Sequence, residues 1–162
     1  MKLIRTVFVF VFVFSYVCDA QGLKTKHVKT KKTPEHVNVA GTNLFLKIPE
    51  GFERSMTCIG WNTKEGSSVV VSKKQKNLIE VSAEVDQQLL GLGYDIISQP
   101  KKYLQINGTD AVYFEAKKGA VEKIFLVVKF NNFSYIIEGN FNSAKNEKKI
   151  IKKVLFSAFI EN

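Results

Sequence analysis

The stretch YLQINGTDAVYFEA, residues 103–116, has the pattern of two β-strands joined by a two-residue turn. Asn107-Gly108 separates the strands, and Asn-Gly is favoured in a type I′ turn because both central residues need positive φ. Two further turn signals, Lys118-Gly119 and Asn131-Asn132, divide the apolar residues that follow. The sequence therefore predicts a β-meander from Tyr103 to Phe141 as the centre of a sheet.

A first helix is predicted before the meander. Asn77 and Glu80 have the spacing of a capping box, in which each side chain accepts a backbone N–H of the first turn. Gly93 is the residue expected just beyond the end of the helix, where the backbone turns left-handed. The apolar residues at helical spacing on one face are Leu78, Val81, Val85, Leu89 and Leu92.

A second helix is predicted after Phe141, capped by Asn142 or Ser143. Its apolar stripe consists of Ile150, Ile151, Val154 and Leu155. Its other side carries Lys148, Lys149, Lys152 and Lys153. Such a charged face is either a solvated helix surface or a docking face for an acidic partner or a membrane. These four lysines are the candidate partner-binding residues.

The first twenty residues have the pattern of a secretory signal peptide. Lys2 and Arg5 precede an apolar run at 7–14, and smaller, more polar residues lead to Ala20. The run is shorter than the roughly 20 residues that a membrane-spanning helix needs. Two alternatives remain open: an uncleaved N-terminal anchor and a lipidated Cys18, which would be the only routes to membrane contact. We expect an exported protein, periplasmic or secreted.

Residues 21–38 are polar and rich in lysine, without apolar periodicity, which predicts a flexible basic linker. The formal net charge of the chain is +9, and part of the excess lies in this segment. A basic linker could meet an anionic surface, but a solubilising spacer is the simpler interpretation. The folded domain is then expected to span residues 39–162.

Few residues of the predicted domain are suited to catalysis. His27 and His36 both fall in the predicted linker, which leaves no histidine for a catalytic triad or a metal cluster. Gly91-Leu92-Gly93 follows a helix, whereas a phosphate-binding loop precedes one. Once a signal peptide is removed, Cys58 is the remaining cysteine. We therefore predict no catalytic residue, no metal ligand and no cofactor.

Three motifs resemble the PsbP-like family of domains. FLKIPEGF (45–52) is similar to its "strand, Pro, x, Gly, aromatic" opening, INGTDA (106–111) to its "I-N-G-x-x-A" turn, and VLFSAF (154–159) to its close. The resemblance covers residues 39–160 and implies an α+β fold, a three-layer α/β/α sandwich around a mostly antiparallel sheet. The family includes an extrinsic photosystem subunit, a small-GTPase-binding nuclear factor and bacterial envelope proteins. Its shared motifs are structural, so no functional residue is carried over.

Two hypotheses about function follow. The first is a non-enzymatic exported domain that binds a protein or another envelope component through its surface, and not nucleic acid, which an exported protein rarely meets. The alternative is a small-ligand-binding protein or an enzyme with a pocket lined by Trp61, Tyr94 and Tyr113. A deep pocket with convergent polar groups would favour the alternative.

Overall fold

The computed structural model describes residues 26–98, 100–143 and 147–161. These residues form twelve strands and two helices. In chain order they are β1 (Lys26–Val28), β2 (His36–Asn38), β3 (Leu44–Lys47), β4 (Phe52–Arg54), β5 (Gly60–Thr63), β6 (Ser68–Lys74), α1 (Leu78–Gly91), β7 (Asp95–Ile96), β8 (Lys102–Ile106), β9 (Thr109–Lys118), β10 (Val121–Phe130), β11 (Phe133–Asn142), α2 (Lys148–Phe156) and β12 (Phe159–Ile160).

The predicted meander forms the middle of a large mixed sheet. Its strand order within the described residues is β1-β8-β9-β10-β11-β6-β5-β4, with β7 paired to β9. All of these pairs are antiparallel except β1 with β8. Asn107 (φ 51°) and Gly108 (φ 80°) make the turn that was predicted, and Asn131 (φ 51°) begins the turn between β10 and β11.

Side chains alternate across the long strands and so form two apolar clusters. On β9, Val112, Phe114 and Ala116 face one side, where they pack with α1. Ala111 and Tyr113 face the other side, where they pack with α2 and with a second, three-stranded sheet. That small sheet has the order β12-β3-β2. The core is therefore divided between the two faces of the large sheet.

Helix α1 begins and ends as the sequence predicts. Asn77 accepts the N–H of Glu80 at 3.0 Å, and the Glu80 carboxylate accepts the N–H of Asn77 at 3.3 Å, which completes the capping box. Beyond the helix, Gly93 has φ 76° and donates its N–H to the carbonyl of Leu90. The N–H of Tyr94 reaches the carbonyl of Leu89 at 2.9 Å. These two bonds form a Schellman motif.

The predicted three-layer α/β/α sandwich is wrong. Among the described residues, helix α1 covers one face of the large sheet, but the other face is covered by α2 together with the three-stranded sheet. This part of the chain is mostly β, with a large mixed sheet and two helices. The prediction failed because β2 and β12 are strands of two or three residues, too short to show a period in the sequence.

The predicted linker is also wrong for residues 26–38. Strand β1 adds to the edge of the sheet beside β8, and the Thr30 N–H donates to the side chain of Asn107 at 2.8 Å. Strand β2 pairs with β3, and His36 is buried against the carbonyl of Ser157. Backbone pairing at sheet edges orders this segment, although it offers few apolar side chains. The predicted signal peptide, 1–20, lies outside the described residues, as do residues 21–25.

Helix α2 approaches the sheet closely because β11 has a glycine beneath it. A Cβ added to Gly139 would lie 2.1 Å from Cγ2 of Ile151 and 3.0 Å from Cγ1 of Ile124. Ile151 is fully buried, and its branched side chain has few other rotamers in a helix. Gly139 therefore sets the height at which α2 lies on the sheet.

We predict that Gly139→Ala lowers the free energy of unfolding by about 1–3 kcal/mol, because the added methyl group overpacks this contact. Urea denaturation followed by circular dichroism measures the change. The matched control is Gly91→Ala at the end of α1, where an added Cβ meets nothing within 4 Å. It should stabilise by up to about 1 kcal/mol. Equal stability of Gly139→Ala and the wild type would contradict this role for Gly139.

Candidate docking site around the second helix

Helix α2 divides its four lysines into two pairs. Ile151, Val154 and Leu155 are buried against the sheet, so residues on either side of this stripe point in different directions. Lys148 and Lys152 lean toward β9 and β10 and are partly covered. Lys149 and Lys153 are exposed, and neither forms an ion pair with the part of the chain that the structure describes.

Lys148 and Lys152 take part in a network on the surface of the large sheet. The Lys148 Nζ lies 2.7 Å from Glu115 and 3.1 Å from Glu122. The Lys152 Nζ lies 3.6 Å from Glu115 and 4.8 Å from the ring centroid of Tyr113. The buried Tyr113 hydroxyl donates to the same Glu115 carboxylate. Since both carboxylates are about nine-tenths covered, these lysines stabilise the fold and are poorly placed to bind a partner.

The charges of this network shift the pKa values of its members. Burial alone would raise the pKa of Glu115, but hydrogen bonds from Lys148 and Tyr113 and the positive charges of Lys148 and Lys152 outweigh it and lower the pKa. Burial alone would lower the pKa of Lys148, but the hydrogen bonds to Glu115 and Glu122 and the negative charges of these carboxylates outweigh it. The pKa of Lys148 is therefore raised. Burial, then the bond to Glu115, raises the pKa of the Tyr113 hydroxyl. Glu115 is thus held ionised and Tyr113 neutral.

A groove of about 720 Å³ lies on the other side of α2. Its walls are α2, the turn between β3 and β4, and the turn between β5 and β6. Apolar lining is supplied by Ile48, Pro49, Phe52 and Ile150. Ile150 is 46% exposed, although the sequence pattern assigned it to the buried stripe. It lies one position to the side of the buried stripe that begins at Ile151.

The rim of the groove carries both signs of charge. Lys153 stands on the helix side, and Glu35 and Lys47 form an ion pair of 2.9 Å on the opposite side. At the start of α2, the buried Ser67 hydroxyl donates to the Glu147 carboxylate, which ties the helix to the β5–β6 turn. Glu50 and Glu65 also line the groove. Among the described residues, Lys153 is therefore the lining lysine without an ion pair, and the exposed Lys149 lies outside the lining, next to Ile150 in the sequence.

The predicted aromatic pocket is not formed. Trp61 and Tyr113 are buried in the cluster beneath α2. Tyr94 packs against the cluster beneath α1, on the opposite face of the large sheet. Because the sheet lies between them, the three side chains cannot line one cavity.

His36 lies in the folded domain, but its contacts are those of a structural residue. Its Nδ1 faces the N–H and hydroxyl of Thr33, and its Nε2 lies 3.0 Å from the carbonyl oxygen of Ser157. The Ser157 hydroxyl donates to the carbonyl of Val154 and accepts the N–H of Lys47. The imidazole therefore does not contact the Ser157 hydroxyl, and the Nδ1 that faces the Thr33 hydroxyl already accepts the Thr33 N–H. No group of three or more potential metal ligands occurs among the described residues.

We predict that Glu115→Gln lowers the free energy of unfolding by about 2 kcal/mol at pH 7, since it replaces charge-assisted hydrogen bonds in a covered site. The folded-state pKa of Glu115 is lowered, so its contribution is complete above the usual value of 4.5 and is lost as pH falls through the folded-state pKa. Wild type and variant should therefore converge in stability as pH falls below the folded-state pKa of Glu115.

Urea denaturation at a series of pH values checks this convergence. Glu53→Gln is the matched control, because Glu53 is an exposed carboxylate on β4. It should change stability by less than about 0.5 kcal/mol at every pH. A deficit in Glu115→Gln that is independent of pH would show that the charge of Glu115 is not what stabilises the site.

Comparisons with known proteins agree with this architecture. Residues 45–154 match the family described as "Domain of unknown function (DUF4367)". No curated protein matches the chain. Among solved structures, the solution structure of cyanobacterial PsbP (CyanoP) from Synechocystis sp. PCC 6803 is similar, with a TM-score of 0.55 and 10% identity over 78% of this chain and 91% of that one.

A crystal structure from Bacteroides thetaiotaomicron VPI-5482 also matches, at a TM-score of 0.46 and 10% identity, over 74% of this chain and 45% of that one. At these identities the likeness concerns the fold. No described helix has the length and apolar character needed to cross a membrane.

The match over residues 45–154 covers more than half of the sequence and contains most of the groove and most of α2. The chain therefore belongs to the DUF4367 family, and its fold is PsbP-like.

Proposed function

We propose that this protein is an exported, non-enzymatic domain that binds a protein or another envelope component through its surface. The observation that carries the proposal is the groove beside α2, where the exposed Ile150 lies next to Lys149 and Lys153. An exposed apolar residue in the wall of a groove, with charges at the rim, is the usual composition of a protein-binding surface.

The chemistry of the partner follows from the lining of the groove. Ile48, Phe52 and Ile150 would receive an apolar side chain, and burying one contributes about 1.5–3 kcal/mol. Lys153 and Lys149 would attract a carboxylate placed about one helical turn away. We therefore propose a polypeptide partner that presents an apolar residue beside an acidic one. Lys148 and Lys152 are not part of this site, because Glu115 and Glu122 already occupy them.

Two features support binding over catalysis. The imidazole of His36 is fully engaged with backbone groups and Thr33. The groove is lined by apolar residues and by four carboxylates, of which Glu147 bonds Ser67 and Glu35 pairs with Lys47. Export is supported by the signal-peptide pattern of residues 1–20.

A photo-crosslinking amino acid at position 150 tests the site in the native envelope. We expect a discrete adduct from position 150 and none from position 79. Ile79 is a suitable control because it is also an exposed isoleucine, 67% accessible, but lies on α1 across the sheet. Equal adducts from both positions, or none from position 150, would contradict the groove as the binding site.

We predict that Lys149→Gln with Lys153→Gln weakens capture of that crosslinked partner about tenfold at low salt and changes stability little, as expected for rim charges. The difference should shrink as salt rises, because exposed charges are screened. The double change Lys74→Gln and Lys129→Gln is the matched control, since both lysines are exposed beside α1. If the variant of Lys149 and Lys153 captures the partner as well as the wild type does, the prediction is wrong and the two lysines are part of a solvated helix surface.

A further inference from the structure

Strand direction brings several lysine-bearing segments to one end of the large sheet. β1 runs parallel to β8, with Val28 opposite Ile106, so the chain leaves β1 beside the Asn107-Gly108 turn. β6 ends at Lys74, opposite Ser134, next to the Asn131-Asn132 turn. We call this end the lysine end and define it by Lys29, Lys31, Lys73, Lys74, Lys76 and Lys129.

The lysine end has an excess of unpaired positive charge. All six lysines are exposed. Within the described residues, Lys76 pairs with Glu84, but no ion pair joins Lys29, Lys31, Lys74 or Lys129 to a carboxylate. The nearby acidic residues are Glu80, Glu84 and Asp110. Six cations therefore face three carboxylates, and one of these is already neutralised by Lys76.

Apolar side chains lie among these lysines. The loop of residues 55–59 joins β4 to β5 at this end of the sheet, since the Val71 N–H donates to the carbonyl of Ile59 at 2.8 Å. Met56 in this loop is fully exposed, and Ile59 is 48% exposed. At the β10–β11 turn, Phe130 and Phe133 are half-buried, and the Lys73 Nζ lies 3.6 Å from the Phe133 ring centroid.

We infer that the lysine end binds the surface of a lipid bilayer that carries anionic headgroups, a route to membrane contact in addition to the two that the sequence predicts at the N-terminus. Lysines attract such a surface within a Debye length, and exposed apolar side chains on loop tips can enter the headgroup region. A single-stranded nucleic acid would need accessible aromatic rings for stacking, whereas the ring centroids of Phe130 and Phe133 lie 5.4 Å apart and Lys73 covers one of the rings. The fully exposed Met56 favours lipid over a purely acidic protein surface.

This orientation leaves the groove of α2 accessible. The groove is lined by Phe52 at the start of β4 and by Ser67, which directly precedes β6. Both positions lie at the end of their strands opposite the lysine end. A domain attached to a bilayer by its lysine end would therefore hold the groove away from the lipid. The lipid contact does not depend on the proposed protein partner.

Vesicle co-sedimentation of the chain as recovered from the exported fraction tests the inference. We expect binding to phosphatidylglycerol-containing vesicles at low salt and none to pure phosphatidylcholine. Lys73→Gln, Lys74→Gln and Lys129→Gln together should weaken the partition coefficient about a hundredfold, at about fivefold for each lysine near an anionic surface. The matched control changes Lys64, Lys149 and Lys153 to Gln, which removes the same charge elsewhere and should weaken binding less than about threefold.

Met56→Ser with Ile59→Ser tests the apolar contribution. We expect it to weaken binding at both low and high salt, because burial of apolar side chains is not screened. Equal losses in the two triple variants would overturn the inference, since net charge alone would then explain binding. Binding of the wild type to vesicles of pure phosphatidylcholine would also overturn it, as would the absence of binding to both kinds of vesicle. The inference would also be overturned if the wild type binds duplex DNA or an acidic protein but no vesicle, and the variant of Lys73, Lys74 and Lys129 loses that binding.

Discussion

The alternation of side chains along β9, β10 and β11 is the constraint on which the rest of the structure depends. Each strand has ten residues, so successive side chains are sorted onto two faces over a length of roughly 30 Å. Val112 and Phe114 therefore lie on the face that packs against α1, and Tyr113 and Glu115 lie on the face toward α2. A one-residue slip in register would exchange the two sets and bury Glu115 beneath α1.

Local chemistry accounts for the features that the sequence could predict. Asn107-Gly108 specifies a turn because few residues adopt positive φ, and the Asn77–Glu80 box specifies a helix start because its two side chains bond the first backbone groups. Gly93 ends α1 for the same conformational reason. These signals involve residues within a few positions of each other, so they can be recognised without knowing the rest of the fold.

The remaining features depend on contacts between distant residues. Strand β1 is ordered by pairing with β8, and Thr30 bonds Asn107, which is 77 residues away. The four lysines of α2 look alike in the sequence, and only the positions of Glu115 and Glu122 on neighbouring strands separate Lys148 and Lys152 from the exposed pair. The sequence could predict that all four lysines lie on one helix, but which of them are unpaired could not be predicted until those strands were located.

The short outer strands β1 and β4 have a consequence for the behaviour of the folded domain in concentrated solution. A long strand with a free edge is a template for pairing with another molecule. Here β1 covers β8, while β4 is a three-residue strand that includes Glu53 and Arg54. The aggregation-prone apolar runs of β10 and β11 are kept in the interior of the sheet. The lysine-rich segment around β1 thus protects the domain from joining others of its kind edge to edge into fibrils.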